Sequence, residues 1–155
     1  MLLPSINALV TPFNPLVMAL LRSRFHGLAS KALLVVSWSG RKTGKRFSIP
    51  TGYRRDGGDV IVLLSKPGAK SWWKNFRSPW PADLLLEGRE RTAMGELVPA
   101  GSDAFFRLVE TTIHATPFMA KQFGLADFDA ARGLSTEDRG RLCAGAAAIR
   151  FELAD

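Results

Sequence analysis

The chain has 155 residues, 46% of them hydrophobic, and 21 Lys/Arg against 14 Asp/Glu give it a formal charge of +7. That length suits one domain with its own core. The single Cys143 excludes an internal disulfide, and the isolated His26 and His114 lack metal-ligand spacing.

Residues 1–21 carry no charged side chain, and Arg22 and Arg24 follow at once. No apolar run reaches the roughly 20 residues of a membrane-spanning helix. Pro4, Pro12 and Pro15 interrupt the stretch, so it does not read as a signal peptide. The expectation is a helical segment over 1–27 that packs on the core, with peripheral membrane contact through residues 1–24 as the alternative. Asn14-Pro15 supplies an N-cap and first helical position, and Leu16/Leu20 and Val17/Leu21 keep helical spacing.

The barrel-like part, 28–98, starts with strand-forming runs at about Ala32–Ser39 and Phe47–Arg54. Asp56-Gly57-Gly58 is a turn, and Val60–Leu64 is a continuous apolar run that predicts a strand buried on both faces. After Lys66-Pro67-Gly68, Ser71 is expected to cap a short helix through Phe76. Two further strands are expected at about Ala82–Glu87 and Arg91–Val98, turning at Gly88. Residues 99–145 read as helices. Ser102 caps one with Phe105, Leu108, Val109 and Ile113 on one stripe, Thr116-Pro117 starts another, and Ser135 with Asp138 forms a capping box. Over 146–154, Ile149, Phe151 and Leu153 alternate with Arg150 and Glu152, as in a last strand with one buried face. Short turns make the early strands antiparallel. The fold class expected is α+β, a small and partly open β-barrel of about six mostly antiparallel strands with flanking helices.

Charge is uneven along the chain. Residues 1–77 hold 13 Lys/Arg and 2 Asp/Glu, whereas residues 78–155 hold 8 and 12. An excess gathered in one half points to an anionic partner there: a phosphorylated cofactor, a membrane surface or nucleic acid. Ser39-Gly40-Arg41-Lys42-Thr43-Gly44-Lys45-Arg46 sets four cations and two glycines in one turn, which suits a phosphate or carboxylate beside it. It is not a Walker A loop, because Lys45 stands where the second glycine belongs. A second cluster runs from Ser65 to Asn75. Lys66 and Lys70 add charge, backbone N–H groups face an anion, and Trp72 or Trp73 offers a flat ring for stacking. Acid–base groups are scarce. His114 reads as structural, Cys143 as a small core residue, and the Asp127/Asp129 pair as uninformative. Such a chain fits an enzyme whose cofactor does the chemistry, or a ligand carrier.

The two clusters, with Ile49-Pro50 and Gly88-Arg89, resemble the deazaflavin-dependent nitroreductase family over residues 28–98. The resemblance implies a split β-barrel related to flavin-binding split barrels, in an actinobacterial oxidoreductase. It also implies coenzyme F-420, a deazaflavin with a phosphate and an acidic oligoglutamate tail, with FMN as second choice. Arg41, Lys42, Thr43 and Arg46, followed by Pro50, would hold the phosphate and tail. Ser65, Lys66, Ala69 and Lys70 would line the phosphate and ring edge, and Trp73 and Asn75 would shape the pocket. Hydride would pass to a small organic acceptor such as a quinone, enone or nitro-aromatic. The rival on this fold is a non-catalytic carrier of flavin, haem or fatty acid. No nucleic acid is expected, and the assembly is a monomer or homodimer. The location expected is cytoplasmic, with peripheral contact at the inner face of the membrane. Two features depart from the family pattern. Lys66-Pro67-Gly68 stands where many members have a glycine pair, and Tyr53 is the only tyrosine.

Overall fold

In the computed structural model, which describes residues 14–23, 27, 33–125 and 127–155, a single sheet carries the architecture. Its strands are β1 (Leu33–Ser39), β2 (Arg46–Gly52), β3 (Arg54–Asp56), β4 (Asp59–Ser65), β5 (Trp80–Leu86), β6 (Arg89–Val98) and β7 (Ala146–Leu153). They lie in the order β2-β1-β5-β6-β7-β4-β3, and every neighbouring pair is antiparallel. The helices are α1 (Asn14–Arg22), α2 (Asp103–Ala115), α3 (Met119–Gln122) and α4 (Thr136–Gly145), with two 3-10 turns at Pro67–Ala69 and Trp72–Phe76. Most of the stretch proposed for membrane contact, 1–13, lies outside the described residues.

The sheet has seven strands where six were expected, because the second predicted run is two strands. The sheet's edge strands, β2 and β3, are consecutive in the chain and meet at Tyr53. One continuous run of backbone therefore pairs with β1 at one end of the sheet and with β4 at the other. This closes the curl at Tyr53. Away from that residue β2 and β4 separate, and no ladder joins them among the described residues. The opening between them is the split of a split β-barrel.

Strand alternation sorts the core. Leu34, Val36, Trp38, Val60, Val62, Leu64, Ala82, Leu84, Leu86, Ile149 and Phe151 fill the barrel together with Phe76. The opposite face of β4 and β7 offers Ile61 and Ala148 to Phe105, Leu108, Val109 and Ile113 of α2. Val60–Leu64 is thus covered on both sides, as its unbroken apolar run requires. The helix ends follow the sequence signals. The Ser102 hydroxyl accepts from the Phe105 N–H at 3.1 Å, and Ser135 and Asp138 form the reciprocal capping box.

Gly95 makes room for the interior. A Cβ there would meet Phe76 at 2.6 Å and Phe151 at 2.7 Å. These two rings are fully buried and meet edge to face, with centroids 5.2 Å apart. Gly95 therefore seats Phe76, and Phe76 holds the Trp72–Phe76 turn against the barrel.

Two expectations change. Ser71 does not cap an α-helix: the Trp72–Phe76 segment is a 3-10 turn, and Ser71 makes no side-chain cap bond. The dipole of a longer helix is therefore missing there. Cys143 is exposed and not a core residue, because its side of α4 faces away from Leu142, which is the buried position.

Candidate functional site

A cleft of about 510 Å³ occupies the split. One wall is β2, with Ile49, Thr51 and Gly52; the other is β4, with Leu63, Leu64 and Ser65. Tyr53, Arg54 and Arg55 stand at the closed end, Trp72 forms part of the lining, and Thr112 to Gln122 of α2, α3 and their connection complete it. Its size lies in the range of small-molecule sites. The lining is mostly apolar and, among the described residues, includes two arginines but no Asp, Glu, His or Cys. The facing stretches of β2 and β4 are not paired with each other, so their strand edges offer backbone groups to a ligand between them. That combination suits a flat ring with polar edges and without positive charge.

The predicted site residues fall into three groups. The first is structural. The Arg41 guanidinium donates through Nε to the Asn75 carbonyl at 2.7 Å, and through Nη2 to the carbonyls of Ser78 and Pro79 at 2.8 and 2.9 Å. It also lies 4.2 Å from the Trp80 ring centroid, and the Arg41 backbone N–H donates to Asn75 Oδ1 at 3.2 Å. Arg41 and Asn75 thus lock the β1–β2 turn to the Trp72–Trp80 segment. Arg46 pairs with Asp83 across β1, on the sheet face opposite Ile49. Pro50 shares that opposite face, buried and in register with Val35, where α1 packs on β1 and β2. Neither side chain is directed into the split.

The second group surrounds the Ser65 end of the cleft. Ser65 lines it. Lys70 reaches back to donate to the Ser65 carbonyl, and Lys66 adopts the left-handed conformation at φ 50°, which turns the chain sharply away from β4. Burial, reinforced by the nearby Lys66 charge, holds the Lys70 ammonium below the usual lysine value. Ala69 donates its N–H to the Lys66 carbonyl and is exposed. Lys42 and Thr43 form the third group. They stand exposed on the β1–β2 turn, where Thr43 Oγ1 accepts from the Lys45 N–H at 3.3 Å.

Of the two adjacent tryptophans, Trp72 and not the expected Trp73 is on the cleft lining. Trp73 Nε1 donates to the carbonyls of Pro67 and Lys70 at 2.8 and 2.9 Å, which staples the loop. Trp72 is the ring that lines the cleft, and it lies 5.5 Å from Trp38, itself stacked on Phe47. Tyr53 was also missed. Its hydroxyl lies 3.4 Å from Glu87 Oε1, and burial followed by that carboxylate pushes its pKa above the usual phenol value. Its position at the junction of two edge strands could not be read from spacing. Arg54, the third cleft residue missed, donates through Nη1 to the Thr111 carbonyl and so ties β3 to α2.

No family model matches the chain, and no curated protein does. Among solved structures, an F-420-H2-dependent reductase, FDR-A, aligns over 79% of this chain and 95% of its own, at 13% identity and a TM-score of 0.56. A protein solved as a domain-swapped dimer aligns over 79% of this chain and 81% of its own, with the same identity and TM-score. A putative pyridoxamine 5'-phosphate oxidase from Listeria innocua aligns more loosely, at 9% identity and a TM-score of 0.48. At such identities the likeness is one of fold, and the fold is the split β-barrel that the F-420-H2-dependent reductase also adopts.

Proposed function

We propose that this chain is a deazaflavin-dependent oxidoreductase that binds coenzyme F-420 in the split and reduces a small organic acceptor, with FMN as the second-choice cofactor. The observation that carries the reading is the cleft itself. An apolar slot between two unpaired strand edges bears Trp72 on its lining and, among the described residues, no acid, and it ends at Ser65 beside Lys66 and Lys70. The likeness of fold to an F-420-H2-dependent reductase supports it.

The residues present fit that group. Leu64, Ile49 and Trp72 offer apolar contact to a ring, the edges of β2 and β4 offer hydrogen bonds to its polar rim, and Lys66 and Lys70 suit a phosphate. Lys42 and Lys45 on the neighbouring turn suit an acidic tail, because Arg41 joins that turn to the loop. When bound, F-420 supplies two electrons as a hydride. The chain's part is to fix the ring against Trp72, exclude water with the α2–α3 wall, and keep Tyr53 neutral as a hydroxyl at the closed end. Among the described residues no carboxylate or imidazole lines the cleft, so in this reading solvent supplies the proton. A homodimer is one assembly compatible with this reading, and the neighbour solved as a domain-swapped dimer supports it.

The reading is tested by titrating the protein with oxidised F-420 and watching its fluorescence, with FMN beside it. Saturable binding of F-420 in the micromolar range is expected. Binding of FMN alone would change the cofactor, and binding of neither would remove the oxidoreductase reading. The carrier of an apolar ligand would then stand, since among the described residues no carboxylate or imidazole lines the cleft.

Lys70 gives this affinity a pH dependence. Its folded pKa is below the ordinary 10.5. The folded chain therefore releases the proton first, and between the lowered value and 10.5 this group makes stability rise with pH. Its attraction for a phosphate fades through the same window. A titration series toward alkaline pH should show F-420 affinity falling earlier in the parent than in Lys70→Arg, which stays charged. Identical profiles would remove Lys70 from the phosphate site.

A further inference from the structure

Two guanidinium groups line the closed end of the cleft, where the Glu87 carboxylate approaches the Tyr53 hydroxyl at 3.4 Å. Arg54 and Arg55 both line the cleft there, on the short edge strand β3. Arg54 is held by the Thr111 carbonyl. Arg55 is exposed and has no hydrogen-bond or ion-pair partner among the described residues. The acids nearest to it in the chain are already committed: Asp56 and Asp59 both accept from Arg150, at 3.0 and 2.7 Å. Arg46, Arg132 and Arg141 each have a carboxylate partner. Arg55 has no such partner, and it is exposed on the cleft lining.

The two ends of the cleft therefore differ. Lys66 and Lys70 lie outside the Ser65 end, Arg55 marks the Tyr53 end, and Thr116 and Gln122 are neutral polar members of the lining. A cation beside an apolar slot selects a molecule with a flat apolar body and a terminal anion, because the guanidinium matches a carboxylate with paired donors. Burial of the body at the α2–α3 wall would partly desolvate that pair and strengthen it.

We infer that the acceptor reduced in this cleft is an apolar, flat molecule bearing a carboxylate, and that Arg55 holds the carboxylate at the Tyr53 end. This rests on the oxidoreductase reading for the word acceptor, but the binding preference itself does not. The reduction balances in the ordinary way: the acceptor gains a hydride from the reduced deazaflavin and a proton from solvent, and its carboxylate is unchanged.

The test uses 2-naphthoate and its methyl ester as probes, titrated by calorimetry into the protein without cofactor. The naphthoate should bind roughly five- to tenfold more tightly than the ester at low salt. Added salt should narrow the gap, Arg55→Gln should abolish it, and Arg89→Gln on the distant β5–β6 turn should leave it intact. Equal affinities, absence of binding by either probe, or a gap that survives Arg55→Gln would overturn the assignment. A gap lost in Lys66→Gln instead would put the anion at the other end and overturn it too. F-420 titration of Arg55→Gln separates this from the function reading. Unchanged cofactor affinity is expected, whereas a large loss would show that the cofactor's own anionic arm occupies the Tyr53 end.

Discussion

Replacing Gly95 with alanine is expected to lower stability by about 3 kcal/mol, at the upper end of the range for overpacked cores. The added methyl would sit 2.6 Å from Phe76 and 2.7 Å from Phe151, and both rings are fully buried. Neither ring is the free end of a flexible chain. Phe151 belongs to β7, between β6 and β4, and Phe76 meets Trp38 and Trp72 as well as Phe151. Relief must come from moving Phe76, and Phe76 carries the Trp72–Phe76 turn with it. The variant should therefore lose ligand affinity in the cleft as well as thermal stability. Denaturant unfolding with a ligand titration checks both. A variant within 1 kcal/mol of the parent would show that the interior has slack the geometry does not reveal.

The second large effect is expected at Arg41. Its guanidinium satisfies three carbonyls of the Asn75–Pro79 segment and packs on Trp80. Arg41→Lys keeps the charge but cannot reproduce a planar fork across three acceptors. If Arg41 acts as a latch, Arg41→Lys and Arg41→Ala should weaken F-420 binding alike, by about tenfold, and each should lower stability by about 2 kcal/mol. If it acts as an anion ligand, Arg41→Lys should bind nearly as well as the parent, and only Arg41→Ala should flatten the salt dependence of affinity. The hydrogen bonds favour the latch. In either case the parent's own binding is the reference, so failure of the latch is distinct from failure of the cofactor reading.

Much of the fold was legible because local chemistry marked it. Asp56-Gly57-Gly58 and Glu87-Gly88 end strands with residues that accept positive φ; Glu87 itself takes φ 50° in its turn. Ser102 and Ser135 announced helix starts through hydrogen bonds that span three residues. Even the double-sided burial of β4 was visible as an unbroken apolar run. The bend at Tyr53 was not, because Gly52-Tyr53-Arg54 continues a strand pattern and only pairing with two different partners divides it.

The candidate site was legible as two loops and illegible as a cleft. Counting cations singled out the β1–β2 turn and the segment from Ser65 to Asn75, which Arg41 and Asn75 join by hydrogen bonds. It could not show which of them face a ligand. Arg41 and Arg46 are bound by groups 34 to 38 residues away, the Asn75, Ser78 and Pro79 carbonyls and the Asp83 carboxylate, and sequence spacing carries no record of such partners. Pro50 was placed by motif, whereas strand parity puts it on the far face. Trp72 and Trp73 were indistinguishable until the segment proved to be a 3-10 turn, whose tighter winding separates adjacent side chains by about 120°. Arg55 went unnoticed because its significance lies in what Asp56 and Asp59 do with Arg150.

The position of β7 bears on how the chain assembles. Its partners β4 and β6 are complete in the sequence before it, yet it lies between them, pairing Val60 with Phe151 and Val98 with Ala148. During synthesis both partners therefore expose an unfilled edge until residues 146–153 leave the ribosome. The β2-β1-β5-β6 and β4-β3 portions are at that stage two sheets joined through the continuous β2–β3 backbone at Tyr53 and through the segment 66–79, with no ladder between them among the described residues. Contacts so distant along the chain slow folding and leave apolar edges open to other molecules. A nascent chain arrested before Ala146 should accordingly be a strong client for chaperones that bind extended apolar strands, and release of the last strand should end that dependence in a single cooperative step.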